Sequence, residues 1–167
     1  MKKIIIIGSG GSGKSTFGRQ LHEQTGIKVS HLDALFWKPN WVAVPRDEQI
    51  EVQRQLMEQP EWILDGNYGG TLGMRLDAAD TVIFLDMPRT VCAYRVIKRN
   101  LKYRNRTRPD MGEGCIEQFS WQFLKWVWQY PKARRPGVLR QLDEVRHEKN
   151  VVILSSKRDV QAFLNQL

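Results

Sequence analysis

The sequence predicts an α/β fold, a three-layer sandwich around a five-stranded, mostly parallel sheet. Continuous apolar runs recur along the chain, helical patterns separate them, and a glycine-rich turn follows the first run. Residues 3–7 are β-branched and unbroken, the pattern of a strand buried on both faces. Residues 16–25 read as the first helix. Residues 29–32 form a short second strand with Asp33 at its carboxyl end, where open α/β sheets place their ligands. A helix over 46–59 is stopped by Pro60, and a third strand over 62–64 closes on Asp65. The fourth strand, 81–85, leads into a basic amphipathic helix over 89–103. Residues 105–114, with Pro109, Gly112 and Gly114, are expected to form a mobile loop. Beyond it lie an aromatic-rich stretch at 116–130, a charged helix at 138–147, a fifth strand at 151–154 and a final helix from Lys157. Strands alternating with helices imply right-handed crossovers.

At 167 residues the chain reads as one domain, 1–167, large enough for a core without disulfides or structural metal. No apolar run approaches the ~20 residues of a membrane span, so a membrane protein is not expected. Cys92 and Cys115 have neither redox nor metal spacing, and His22, His31 and His147 have no ligand spacing. The cytoplasm is the expected compartment. The net charge of +8 calls for an anionic partner. Its centre is one segment, where Arg89, Arg95, Lys98, Arg99, Lys102, Arg104, Arg106 and Arg108 occur with no acid among them.

The chemistry concentrates first in Gly8, Ser9, Gly10, Gly11, Ser12, Gly13, Lys14 and Ser15, which match the phosphate-loop pattern G-x-x-x-x-G-K-S/T between a strand and a helix. Glycines there let successive N–H groups converge on phosphate oxygens, and the helix N-terminus, including Thr16, adds its dipole. Lys14 would reach the β and γ phosphates of ATP and Ser15 would ligate Mg2+. Asp65 is the candidate for the magnesium water shell, with a turn-capping aspartate as its plain alternative. Asp33 is a candidate to orient or deprotonate an acceptor, or again a turn residue. Arg75 either binds an acceptor phosphate in bidentate fashion or lies on the surface. Arg104, Arg106 and Arg108 are candidates to offset charge on the transferring phosphoryl group from a lid at 104–115, against the plain reading of a solvated basic face. Trp37 and Trp41 are candidates to line an acceptor pocket. The aromatics Phe119, Trp121, Phe123, Trp126, Trp128 and Tyr130 are expected mostly in the core, with a base-stacking surface as the alternative.

These residues resemble the adenylate-kinase-like branch of P-loop NTPases, and within it the topology modulation protein (FlaR-related) family. The resemblance spans most of the chain. It is carried by the phosphate loop, His31-Leu-Asp33-Ala-Leu-Phe-Trp37, Asp65-Gly66-Asn67-Tyr68, Arg75, and the basic stretch ending Arg108-Pro109-Asp110. It implies a nucleoside-monophosphate-kinase-like fold, ATP with Mg2+, an arginine-bearing lid, and nucleotide contacts from Arg95 and Arg99. Adenylate kinases proper carry Asp-Gly-Phe-Pro-Arg where this chain has Asp65-Gly66-Asn67-Tyr68-Gly69, so the acceptor stays open. The expected activity is a phosphotransferase moving the γ-phosphoryl group of Mg-ATP to a small acceptor, with nucleotides and nucleosides as candidates. The alternative is an ATP-dependent DNA-binding regulator of DNA topology, although no sequence-reading motif is present.

Overall fold

The computed structural model describes all 167 residues. In chain order they form β1 (Lys3–Gly8), α1 (Lys14–Thr25), β2 (Val29–His31), α2 (Leu32–Phe36), the hairpin strands β3 (Trp37–Lys38) and β4 (Val42–Ala43), and α3 (Arg46–Met57). There follow β5 (Trp62–Asp65), α4 (Leu72–Ala78), β6 (Thr81–Leu85), α5 (Arg89–Lys102), α6 (Trp121–Ala133), α7 (Arg135–Val145), β7 (Asn150–Leu154) and α8 (Lys157–Leu164). The five-stranded sheet runs β2-β5-β1-β6-β7, and every pairing in it is parallel.

The unbroken isoleucine run explains the layering. Ile4 to Ile7 are at most 1% exposed, and alternate residues face opposite sides of the sheet. Ile4 and Ile6 join Phe17 and Leu21 of α1 and Leu164 of α8 in one core. Ile5 and Ile7 join Leu72 and Leu76 of α4, Tyr130 of α6 and Leu142 of α7 in the other. Each buried isoleucine stabilises the fold by roughly 1.5–3 kcal/mol, so this central strand fixes a sheet covered on both faces.

Some local features escaped the sequence patterns. α2 starts at Leu32, which puts Asp33 in the first turn of a helix rather than in a loop after β2. The β3–β4 hairpin and α4 were not foreseen, since two-residue strands and a seven-residue helix are too short to establish a period. The segment expected to be a mobile loop is tied down. Bridges join Arg104 to Glu117 and Thr107 to Ile116, Cys115 is fully buried, and Asn40 N–H donates to the Gly114 carbonyl at 3.1 Å. Gly112 lies so close to the Trp37 and Ala34 carbonyls that an added Cβ would stand 2.7 and 2.9 Å from them.

Candidate active site

The phosphate loop leaves β1 and enters α1 with Gly11 and Gly13 at φ 76° and 100°, a region that glycine occupies without strain. A side chain on Gly11 would run into the Cys92 carbonyl of α5, so the loop is seated against that helix. The N–H groups of Gly13, Lys14, Ser15 and Thr16 find no acceptor in the protein, and the Ser9 and Ser12 hydroxyls are buried without partners. Such convergent, unspent donors at the start of a 12-residue helix fit a polyphosphate. Lys14 Nζ donates to the Gly8 and Ser9 carbonyls at 2.9 and 3.0 Å, holding the ammonium at the same loop. Arg95 Nη1 donates to the Ser12 carbonyl at 2.9 Å, which puts that arginine on the loop.

Next to this loop, β5 ends at Asp65, 4% exposed and paired across the sheet with His31 of β2. Asp65 Oδ2 lies 2.7 Å from His31 Nδ1, while Oδ1 is buried without a partner. A carboxylate oxygen so placed beside the phosphate loop suits the water shell of a cation. His31 had no visible role in the sequence, yet the strand register brings it to Asp65; only the pairing of β2 with β5 would have revealed it.

The loop after Asp65 links three places. Asn67 Oδ1 accepts the Gly8 N–H at 3.0 Å, Tyr68 O–H donates to Asp33 Oδ1 at 2.8 Å, and the Gly70 carbonyl accepts from Arg46 Nη2 at 3.1 Å. Tyr68 sits at φ 27°, costly for a non-glycine residue, so its surroundings must over-determine it. Arg75 supplies that constraint and corrects both sequence readings of this residue. It is 0% exposed and donates to the carbonyls of Gly66 and Asn67 at 2.6 Å and Tyr68 at 3.1 Å. Both Nη atoms are spent on the chain itself, Nε alone is left without a partner, and no part of the side chain reaches solvent, so it shapes the loop instead of binding an acceptor. Burial pulls its pKa down to about 10, opposed by Tyr68 and Asp65. Burial followed by the Asp33 carboxylate pushes the Tyr68 hydroxyl well up, keeping it a proton donor at neutral pH. The Trp37 ring packs edge-on against Trp41, 5.8 Å between centroids.

The three arginines expected on a lid separate. Arg108 is 7% exposed and pairs with Glu117 at 2.9 Å and Asp110 at 3.6 Å; Glu117 also lies 3.6 Å from Arg99 of α5. Burial acts to raise the Asp110 pKa, but Arg108, a backbone N–H, the Ser15 hydroxyl and Arg99 together hold it below the usual carboxylate range. Arg104 and Arg106 are exposed, and Arg104 lines a separate cavity of about 430 Å³ with Ile97, Asn100 and Leu101 of α5. The basic run is thus not free of acids in three dimensions, because Glu117 and Asp110 fold back onto it.

The aromatic cluster is largely outside the core, against the sequence expectation. Tyr130 is buried at 5% and Trp126 packs partly beneath it, whereas Trp121 is 75% exposed and Phe119 and Trp128 45% each. Phe123 covers Gly10 of the phosphate loop, 2.5 Å from where a Cβ would stand. Helical spacing turns only part of α6 inward, and the remainder faces solvent.

No family model matches this sequence, and neither does any protein with a curated description. Solved structures do match. A shikimate kinase from Acinetobacter baumannii has a TM-score of 0.58 at 16% identity, over 99% of this chain and 90% of that one. A sugar kinase from Janibacter sp. HTCC2649 gives 0.55 at 15% identity, over 99% and 91%. A deoxyadenosine kinase from M. mycoides gives 0.52 at 14% identity, over 98% and 96%. At these identities the likeness is one of architecture, and the architecture is that of P-loop kinases of the nucleoside-monophosphate-kinase-like type.

Proposed function

We propose that this chain transfers the γ-phosphoryl group of ATP to a hydroxyl of a small acceptor, with residues 1–167 acting as one unit and 104–115 as its lid. The observation that supports this most is the loop after β5, which bonds the phosphate loop through Asn67 and Asp33 through Tyr68 and so ties the proposed base to the proposed donor site. The small-molecule kinases named above, which share the fold, point the same way. Asp33 takes the proton of the acceptor hydroxyl as its oxygen bonds to the γ-phosphorus. Lys14 and the loop N–H groups offset the charge that passes to the departing ADP as the bridging P–O bond breaks. Arg95, Arg99 and Arg108 supply further positive charge along one side. Ser15 and Asp65 would hold Mg2+, whose chemistry there is to neutralise β and γ phosphate oxygens.

The test is ATP consumption by the full chain with magnesium against a panel of nucleoside monophosphates, nucleosides and small hydroxyl compounds. Acceptor-stimulated turnover that falls at least about 10²-fold in Lys14→Ala is expected. Asp33→Ala should lose transfer yet bind ATP within about threefold of wild type, as expected for a group that acts in proton transfer. An Asp33→Ala protein with full transfer activity would falsify the base assignment.

A second reading, an ATP-dependent DNA-binding regulator, is favoured by two exposed aromatics that stand beside cations. Arg89 lies over the ring of exposed Trp128 at 4.5 Å, and Lys98 lies 6.0 Å from the ring of exposed Tyr94. Aromatic faces beside cations suit single strands. That reading, which the topology modulation resemblance also names, requires DNA affinity that drops steeply with salt. Absence of binding at moderate ionic strength removes it.

A further inference from the structure

Across Tyr68 from Asp33, on the side of α3, lies a cavity of about 380 Å³ lined by Arg46, Gln49, Tyr68, Gly69, Gly70 and Thr71. Its position is set by chemistry already described. Tyr68 is both a wall of this cavity and the donor to Asp33, so a group seated in the cavity lies one side chain from the proposed base. Arg46 is the one charged residue in the lining. It opens α3 and gives one N–H to the Gly70 carbonyl, which aims the guanidinium at the cavity and leaves its other donors unspent. The neighbouring Glu48 is drawn off toward Lys38 at 3.5 Å, so it does not neutralise Arg46. Thr71 and Gln53 bond each other at 3.1 Å behind the loop, and the Gly69–Gly70 backbone offers no side chain to fill the space.

We propose that this cavity is the acceptor site, and that it takes a small hydroxyl compound bearing an anionic group, carboxylate or phosphate, gripped by Arg46 while its hydroxyl meets Asp33. The inference rests on the phosphoryl-transfer reading and narrows it to a class of acceptor. The planar guanidinium matches either anion with two parallel hydrogen bonds, and the strained Tyr68 holds wall and base in one register. Neutral polyols lack the group that Arg46 recognises.

The test is isothermal titration of the full chain with four probes. D-gluconate and sn-glycerol 3-phosphate represent the two anions, and D-glucitol and glycerol are their neutral counterparts. At least one anion should bind at least about tenfold tighter than its neutral counterpart, in line with a charge-assisted hydrogen bond. Which one binds separates carboxylate from phosphate. Arg46→Ala and Arg46→Gln should erase that preference while leaving thermal unfolding unchanged, since the side chain is exposed. Equal binding of neutral probes, binding by neither anion, or an Arg46→Ala protein that retains the preference overturns the proposal. ATP titration in parallel keeps the two readings apart. Intact ATP binding with no anion site sinks only the acceptor assignment, whereas absent ATP binding sinks the donor reading itself.

Discussion

The phosphate loop occupies eight consecutive residues, Gly8 to Ser15, whereas the pocket across Tyr68 from Asp33 draws on the start of α3 and the loop after β5. In the first, the unspent donors are backbone N–H groups, so what matters is the glycines that let them converge. In the second, side chains from distant segments do the work, and each must be held by something else. The difference concerns where order comes from: the phosphate loop is preorganised by local backbone geometry and a helix terminus, the pocket by tertiary bonds. Mutations remote from both should therefore reach the second far more readily than the first.

Arg75 gives the largest expected effect. Arg75→Met keeps the volume but strips three carbonyls of their donor inside the protein, which should cost about 3–5 kcal/mol, as removal of one member of a buried charged group does. A fall of several degrees in thermal midpoint should accompany loss of transfer to any acceptor. In the fraction still folded, ATP affinity should remain within about threefold, because no Arg75 contact reaches residues 8–15. Equal loss of ATP binding would break the distinction between the two sides.

That asymmetry also governs what the sequence revealed. The strands were legible from unbroken apolar runs, since burial on both faces leaves a local signature in residues 3–7 and 81–85. The phosphate loop was legible because its whole mechanism lies in one contiguous motif. Arg75 and Arg46 were misread or missed, because nothing about an arginine in a sequence says whether its partners are phosphates or the protein's own carbonyls. Glu117 and Asp110 lie 18 and 11 residues beyond Arg99, and only the folded lid brings them to it. Exposure of Trp121 escaped for a related reason: helical period says that one face is buried, not which.

Tyr68→Phe sharpens the comparison at lower cost. It deletes the hydrogen bond to Asp33 at 2.8 Å and leaves the ring against Phe36, 4.9 Å between centroids. One hydrogen bond to a charged group contributes about 1.5–3 kcal/mol, so kcat for transfer should drop roughly 10- to 100-fold. ATP affinity and the thermal midpoint should move little. The informative readout is the split between the two substrates. A change confined to acceptor kinetics supports a tyrosine that positions the base, and a proportionate change in the ATP constant would mean that the loop couples both sides rigidly.

Asp80 lies outside both sites and sets the baseline. Its carboxylate accepts the Lys2 and Lys3 N–H groups at 2.8 and 3.0 Å and the Thr81 hydroxyl at 2.6 Å. Burial acts to raise its pKa, but these bonds prevail and hold it below the ordinary value. A carboxylate with a depressed pKa stabilises the fold above its unfolded value, about 3.9, and that contribution vanishes as pH falls through the lower folded value. Asp80→Asn should therefore be less stable than wild type near pH 7, by under about 1 kcal/mol at so exposed a position, and the gap should narrow at about pH 3, below the unfolded value. Urea midpoints at the two pH values measure it. A gap that persists in acid would show that the asparagine perturbs packing at the β1 edge instead of removing a charge, and the variant would lose its use as a control for effects that touch neither ATP nor acceptor.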